Sequence, residues 1–484
     1  MIRALPLAAI VPLVAAAVSA VSPSVAVRRL IAAVALAVTG GIGILVLRET
    51  AGGDVLVTEI GGFPPPFAIA FAADTFAALM LVVFAVVPGL CLTFAALRGH
   101  DDVPRAHAGA LGLVGASAGA TLTADLFNLF VWIEVLLLAS YVLITLGATP
   151  RRVRTGTIYV ATNLLGSTVF LSGVALVYAT AGTVNLGALR GAAAASGAVA
   201  VGATLVVVAL AVKSSLVPVH AWLPRTYPDA PTWVTALFSG TLTKVGIVAL
   251  FRVVTVVFDG EPVIGAPLLL IAGLTMVIGV VGAVGRTSMR SILSFHMVSQ
   301  MGYLVMALGI GTVGGLTAGV FFLVQYIGVK TALFLVAGTV ESDEGSDDLD
   351  QLGGLVHRRP ALAGVFLLSA FALVGVPPLS GFVAKFGLLR AAFDDGAYAI
   401  GATAVAVSFL TLLSMVKIWN AAFWGSSPEE PTPGASRPWL FVPAAVLALA
   451  TLAIGIAAQP LWRIAERAAA GLVDVAAYAG AVAP

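Results

Sequence analysis

Long apolar runs alternate with short polar connections along this chain, and the runs are close to the length of an α-helix that crosses the hydrocarbon core of a bilayer. Counting them predicts about 14 spans, among them 126–146 (fifth), 199–223 (seventh), 231–253 (eighth), 288–308 (tenth), 313–338 (eleventh), 361–389 (twelfth), 401–424 (thirteenth) and 439–456 (fourteenth). The first run, 4–21, follows Arg3 and ends in small residues, as a cleavable leader does. So many equally apolar runs follow that it reads as the first span. The expected fold class is an all-α polytopic membrane protein.

Two spans are interrupted. Around Lys213 the chain reads AVKSSLVPVHAWLP, where Ser214, Ser215 and Pro218 weaken the helix just after the lysine. Around Lys385 it reads ALVGVPPLSGFVAKFGLL, where Pro377, Pro378 and Gly381 do so just before it. Non-helical backbone at membrane depth is tolerated only when buried in protein or lining a water-filled cavity, so each break predicts a cavity beside a lysine. The breaks lie five spans apart, in the seventh and twelfth. Five is odd, so two units joined this way run in opposite directions, as in transporters built from inverted repeats. The expected organisation of 1–484 is one membrane domain: N-terminal helices in 1–105, inverted five-helix repeats in 106–253 and 263–424, and a C-terminal helix and tail in 438–484. It pairs Lys213 with Lys385, and Lys244 with Lys417.

Composition agrees with the pattern: 60% of the 484 residues are hydrophobic, 10% are charged, and mean hydropathy is +1.07. A net charge of +2 without a basic arm gives nucleic-acid binding no support. The single cysteine, Cys91, cannot form an internal disulfide.

Charge placement changes the picture more. Of the 20 arginines, 13 follow odd-numbered spans and 7 lie on the opposite side, which by the positive-inside rule puts both termini outside. All five lysines, Lys213, Lys244, Lys330, Lys385 and Lys417, lie inside predicted spans. Arginine stays protonated almost everywhere, whereas a buried lysine can lose its proton and regain it beside a carboxylate. Arginine outside and lysine inside is what a proton pathway requires. One acid, Glu134, sits deep in the fifth span, and an intramembrane carboxylate calls for a partner. Lys213 is the candidate.

His296 in the tenth span and Tyr326 in the eleventh are expected proton carriers between lysines. His220 follows the first break, where either proton uptake or helix capping fits; His100, His107 and His357 read as loop residues. Asp74 and Asp125 open spans, where an acid at a helix N-terminus is favoured. The acidic run at 341–350 lacks calcium-loop spacing and reads as a solvated linker or docking surface. The stretch 426–437, with three prolines, reads as a linker. No cluster of Cys, His and acids has metal-ligand spacing and no nucleophile elbow occurs, so neither a cofactor nor a covalent enzyme is expected.

Four segments carry a resemblance: 127–141 (FNLFVWIEVLLLASY), 219–251 (VHAWLPRTYPDAPTWVTALFSGTLTKVGIVALF), 375–385 (GVPPLSGFVAK) and 414–424 (SMVKIWNAAFW). Together they resemble the proton-translocating, antiporter-like membrane subunits shared by respiratory complex I, membrane-bound hydrogenases and Mrp-type multisubunit cation/proton antiporters. The wording is most similar to the D-subunit branch of the Mrp-type sodium/proton antiporters. The resemblance implies about 14 helices with two inverted repeats, a Glu134 to Lys213 pair, onward relay by Lys244, a central Lys330, and Lys385 as the exchange lysine at the far end. It also implies a plasma-membrane location, protons and sodium as cargo, and other membrane subunits as partners. Family members often carry histidines shortly before the eleventh-span lysine; Gln325 and Tyr326 stand there in this chain, which moves the central proton-carrier role toward His296. Two other readings remain: a proton-pumping module of a complex I-like or hydrogenase redox complex, and a scaffold whose buried charges are structural.

Overall fold

Helix follows helix along nearly the whole chain, as the apolar runs require. The computed structural model describes residues 2–62, 69–426 and 437–483. Among these, nine helices are long and apolar enough to cross a membrane, and three shorter apolar helices, Leu7–Val21, Gly197–Lys213 and Pro360–Val374, join them. The linker expected at 426–437 lies, apart from its two end residues, outside the described residues.

Short polar side chains set the helix starts by accepting main-chain N–H groups that have no intrahelical partner. Asp125 accepts from Asn128 N at 2.7 Å and starts Leu126–Ile144. Ser196, Ser288 and Thr312 cap Gly197–Lys213, Met289–Ile310 and Val313–Glu344 in the same way.

Lateral packing relies on small residues, because lipid leaves no hydrophobic gain from helix association. The helices Pro150–Ala181 and Gly197–Lys213 meet at Gly173 and Gly202. A Cβ on Gly173 would stand 2.7 Å from Gly202 O. That approach sets the Lys213 helix directly against the small polar residues of its neighbour.

Both expected breaks are present, and both contain a cis X-Pro peptide, Val217-Pro218 and Pro377-Pro378. After Lys213 the chain leaves the helix and resumes it at Trp222–Thr226. The freed groups find partners: Trp222 Nε1 donates to Val212 O at 2.9 Å, and Val217 N donates to Thr275 Oγ1 at 3.1 Å. Before Lys385 the helix Pro360–Val374 ends at Gly375, with φ at 97°, and Ser380–Asp394 begins. A side chain at Gly381 would collide with Ala372 O, so only glycine lets the two halves close up.

A third break was not expected. The eighth span reads as one run but divides into Thr232–Gly240 and Leu242–Val257, with Thr241 at φ −126° and ψ −62° between them. Its position, three residues before Lys244, repeats the association of a break with a lysine. Apolar run length cannot reveal a kink made by one residue.

Other expectations are corrected. The run at 341–350 is stitched to arginines rather than solvated: Arg290 approaches Glu341 at 3.3 Å, Arg359 reaches Asp343, and Arg358 holds Glu344 at 2.7 Å. His107 lies buried in the helix Pro104–Leu122, 3.8 Å from Asp101, and His357 belongs to the short helix Leu355–Arg358, so neither is a loop residue. Asp74 caps its helix through Ala77 N at 2.9 Å, as expected, but also holds Arg252 at 2.6 Å. The apolar pattern likewise does not announce the antiparallel hairpin of Leu56–Glu59 with Ala70–Ala73. Nor does it announce the 82° bend from Val442–Ile456 into Gln459–Val473.

Candidate functional site

Four of the five lysines are buried, Lys244 and Lys330 completely, and His296 is fully buried with them. A buried ammonium must find acceptors, and the structure shows which ones each lysine has.

Lys213 Nζ donates to Asn163 O at 2.8 Å and to Ser167 Oγ at 2.9 Å. The Ser167 hydroxyl in turn donates to Glu134 Oε1. The expected pair is therefore bridged: among the described residues no contact within 4.0 Å joins Glu134 to Lys213 directly. The reason lies in the packing, since the Gly173–Gly202 contact brings Ser167 between the two groups. Glu134 is only half-buried, on a helix whose neighbours Val131 and Leu138 are exposed.

Beside Lys213 lies a cavity of about 10 Å³, lined in part by Asn163, Lys213, Leu242 and Gly246. That is roughly the space of one water molecule. Lys244 Nζ donates to Thr243 Oγ1 at 3.2 Å and stands 4.5 Å from the centre of the Tyr326 ring. One helical turn beyond Tyr326, Lys330 Nζ donates to Leu293 O at 2.6 Å. Tyr326 thus lies against Lys244, its own hydroxyl donating to Met297 O at 3.3 Å.

His296 Nε2 is 2.5 Å from Ser414 Oγ. Farther along, Lys385 Nζ donates to Val374 O at 3.0 Å, a carbonyl that the helix break sets free, and to Ser408 Oγ at 3.2 Å. Ser408 also bonds Tyr303 Oη at 2.9 Å. Lys385 lies at the base of a cavity of about 300 Å³ lined in part by Pro377, Phe382, Phe386 and Phe409. The cavity expected beside this lysine is therefore present, and its wall is apolar.

Lys417 is different. It sits at the end of Tyr398–Ile418 and donates to Val284 O at 3.1 Å and Arg286 O at 2.7 Å, so it caps the end of the helix Gly265–Val284. A π-helical turn, Trp419–Trp424, follows it. His220 lies near the first break beside Arg154, Arg225 and Arg286, on a cavity of about 650 Å³. A second cavity of about 650 Å³ lies among Arg98, Arg105, Arg152 and Arg290. His100 lines it, and burial, then Arg98, Arg152 and Arg437, hold that imidazole below its ordinary range.

Reasoning from single residues singles out the lysines, Glu134 and His296 as candidates. It missed Asn163, Ser167, Tyr303, Ser408 and Ser414, which join them. Asn163 and Ser167 are four apart and so share one helix face, but Thr162, Thr168 and Ser172 stand in the same span and hide the pair. Among the described residues no group of three His, Cys, Asp or Glu side chains is placed to hold a metal ion.

Residues 123–412 match the family model described as NADH:quinone oxidoreductase/Mrp antiporter, TM. The D subunit of the Na(+)/H(+) antiporter of Alkalihalophilus pseudofirmus is 40% identical over 431 residues, covering 88% of this chain and 87% of that protein. Among solved structures, a chain of the Mrp complex from a Dietzia species superposes with a TM-score of 0.95 at 38% identity, over 100% of this chain and 99% of that one. A chain of an archaeal membrane-bound sulfane sulfur reductase, a respiratory membrane complex, superposes with a TM-score of 0.89 at 26% identity, over 99% of each chain. Family match, relatives and fold agree: the chain belongs to the NADH:quinone oxidoreductase/Mrp antiporter transmembrane family.

Proposed function

We propose that this chain is the proton-translocating subunit of a multisubunit sodium/proton antiporter, and that protons move through Glu134, Lys213, Lys244, Lys330, His296 and Lys385. The observation that carries this reading is the burial of four lysines and one histidine in an apolar helical bundle, each within reach of a hydroxyl or a main-chain carbonyl. Static charges need fixed partners of opposite sign, and among the described residues Glu134 is the one acid bonded to this row. Most of these lysines must then spend time neutral, and a row of weakly solvated amines with hydroxyls between them can hand protons along.

The architecture belongs to the same proposal: about 14 spans, inverted repeats in 106–253 and 263–424, an N-terminal segment in 1–105 and a C-terminal one in 438–484. Breaks beside both Lys213 and Lys385 support the repeat. The arginine distribution supports both termini outside, and the likeness to an antiporter subunit supports a plasma-membrane location. Partners are other membrane subunits of the antiporter, a reading supported by the relative in an Na(+)/H(+) antiporter and by the superposing chain of an Mrp complex.

Lys213→Ala and Lys385→Ala, made in the whole complex, test transport against scaffolding. Loss of exchange with normal assembly supports transport; loss of assembly with normal exchange per complex refutes it. The likeness to a chain of a respiratory reductase favours a second reading, a pump module driven by electron transfer. Flavin or iron–sulfur absorbance in the purified native complex would decide for that reading.

A further inference from the structure

One helix links the central and far lysines. On Met289–Ile310, the residues Leu293, His296, Gln300 and Tyr303 follow at spacings of three, four and three, which places them on one face. The two ends of this stripe are already engaged. Lys330 donates to Leu293 O, and Tyr303 Oη bonds Ser408, the hydroxyl that Lys385 also uses.

The middle of the stripe is polar and unsatisfied by protein. Gln300 is 0% exposed, and among the described residues neither its Oε1 nor its Nε2 has a hydrogen-bond partner. His296 Nδ1, one turn away, has none either. An amide carries two donors and an acceptor, and burying them unpaired is costly; a methionine would fill the same volume without that cost. Buried polar groups of this kind are the ones that internal water satisfies. Neighbours on this face lie about 5–6 Å apart at Cβ, a gap that one water spans.

Resting on the pathway read above, we propose that Gln300 is a positioning residue that holds a short water chain between His296 and Tyr303, and so joins His296 to Lys385 along one helix face. His296 takes up a proton at Nε2, where the Ser414 hydroxyl lies, and releases the Nδ1 proton to the water oriented by Gln300, so the ring ends neutral. Each following oxygen takes one proton and releases another, until the neutral Lys385 amine takes the last. Gln300 itself neither gains nor loses a proton.

The test compares Gln300→Met and Gln300→Asn in the assembled complex, in inverted membrane vesicles driven by a pH gradient. For Gln300→Met the expected result is a fall of about tenfold in maximal exchange rate, with an unchanged KM for sodium and a larger solvent isotope effect in D2O. Gln300→Asn keeps the amide and is expected to recover at least about a third of the wild-type rate. A wild-type rate in Gln300→Met overturns the proposal. So does a loss shared equally by Gln300→Asn with no change in isotope effect, or failure of both variants to assemble, since either assigns Gln300 to packing. Lys385→Ala in the same vesicles separates the two claims. If it is inactive while Gln300→Met runs normally, only the role of Gln300 falls; if it runs normally, the pathway itself falls.

Discussion

Glu134 and Lys213 share one hydrogen-bond partner, the hydroxyl of Ser167, which donates to the carboxylate and accepts from the ammonium. A bridged pair differs in kind from a direct one. Two charges in contact in a low-dielectric site hold each other ionised, whereas a hydroxyl between them can rotate and pass a proton from one side to the other.

Ser167→Ala therefore removes the bridge while leaving both charged groups in place. Exchange by the assembled complex is expected to fall about tenfold or more, and Ser167→Thr, which keeps the hydroxyl, to restore most of it. Equal rates for wild type and Ser167→Ala would show that the bridge is structural.

Asp74 and Arg252 form a buried ion pair at 2.6 Å, with Tyr478 of the C-terminal segment stacked on the guanidinium at 4.1 Å. Removing one partner leaves an uncompensated buried charge, so Asp74→Ala is expected to cost about 3–5 kcal/mol of stability. The measurement is the fraction of the protein that survives a heating step in detergent. Exchange per surviving complex should stay close to wild type, because neither residue touches the lysine row.

Lys417 separates repeat symmetry from function. The repeat pairs it with Lys244, yet it caps a helix end through Val284 O and Arg286 O. Lys417→Met is expected to lose about 0.5–1 kcal/mol of stability and to leave exchange within about twofold of wild type. A tenfold loss of exchange would return Lys417 to the pathway.

The difference between Lys417 and the other lysines shows where the apolar pattern stops being informative. Run length and the Ser-Ser and Pro-Pro interruptions were enough to expect the two breaks and the burial of Lys213 and Lys385, because these follow from bilayer thickness and backbone hydrogen bonding. Lys213 closes its helix and Lys417 stands where an α-helix passes into a π-helical turn, yet one donates to a buried hydroxyl and the other caps a neighbouring helix; the apolar pattern is the same for both. Ser167, Ser408 and Gln300 were invisible for another reason: their significance comes from which neighbouring helix each one faces, and that is set by glycine contacts such as Gly173 with Gly202. The same holds for Thr241, whose backbone turns just before Lys244 with no proline to announce it.

Glu134→Gln tests the central claim most directly, since it removes the one carboxylate of the row at nearly constant volume and leaves every lysine in place. In inverted vesicles carrying the complete complex, sodium-dependent exchange is expected to vanish while the complex assembles in normal amount. Exchange at the wild-type rate in an assembled Glu134→Gln complex would contradict the account.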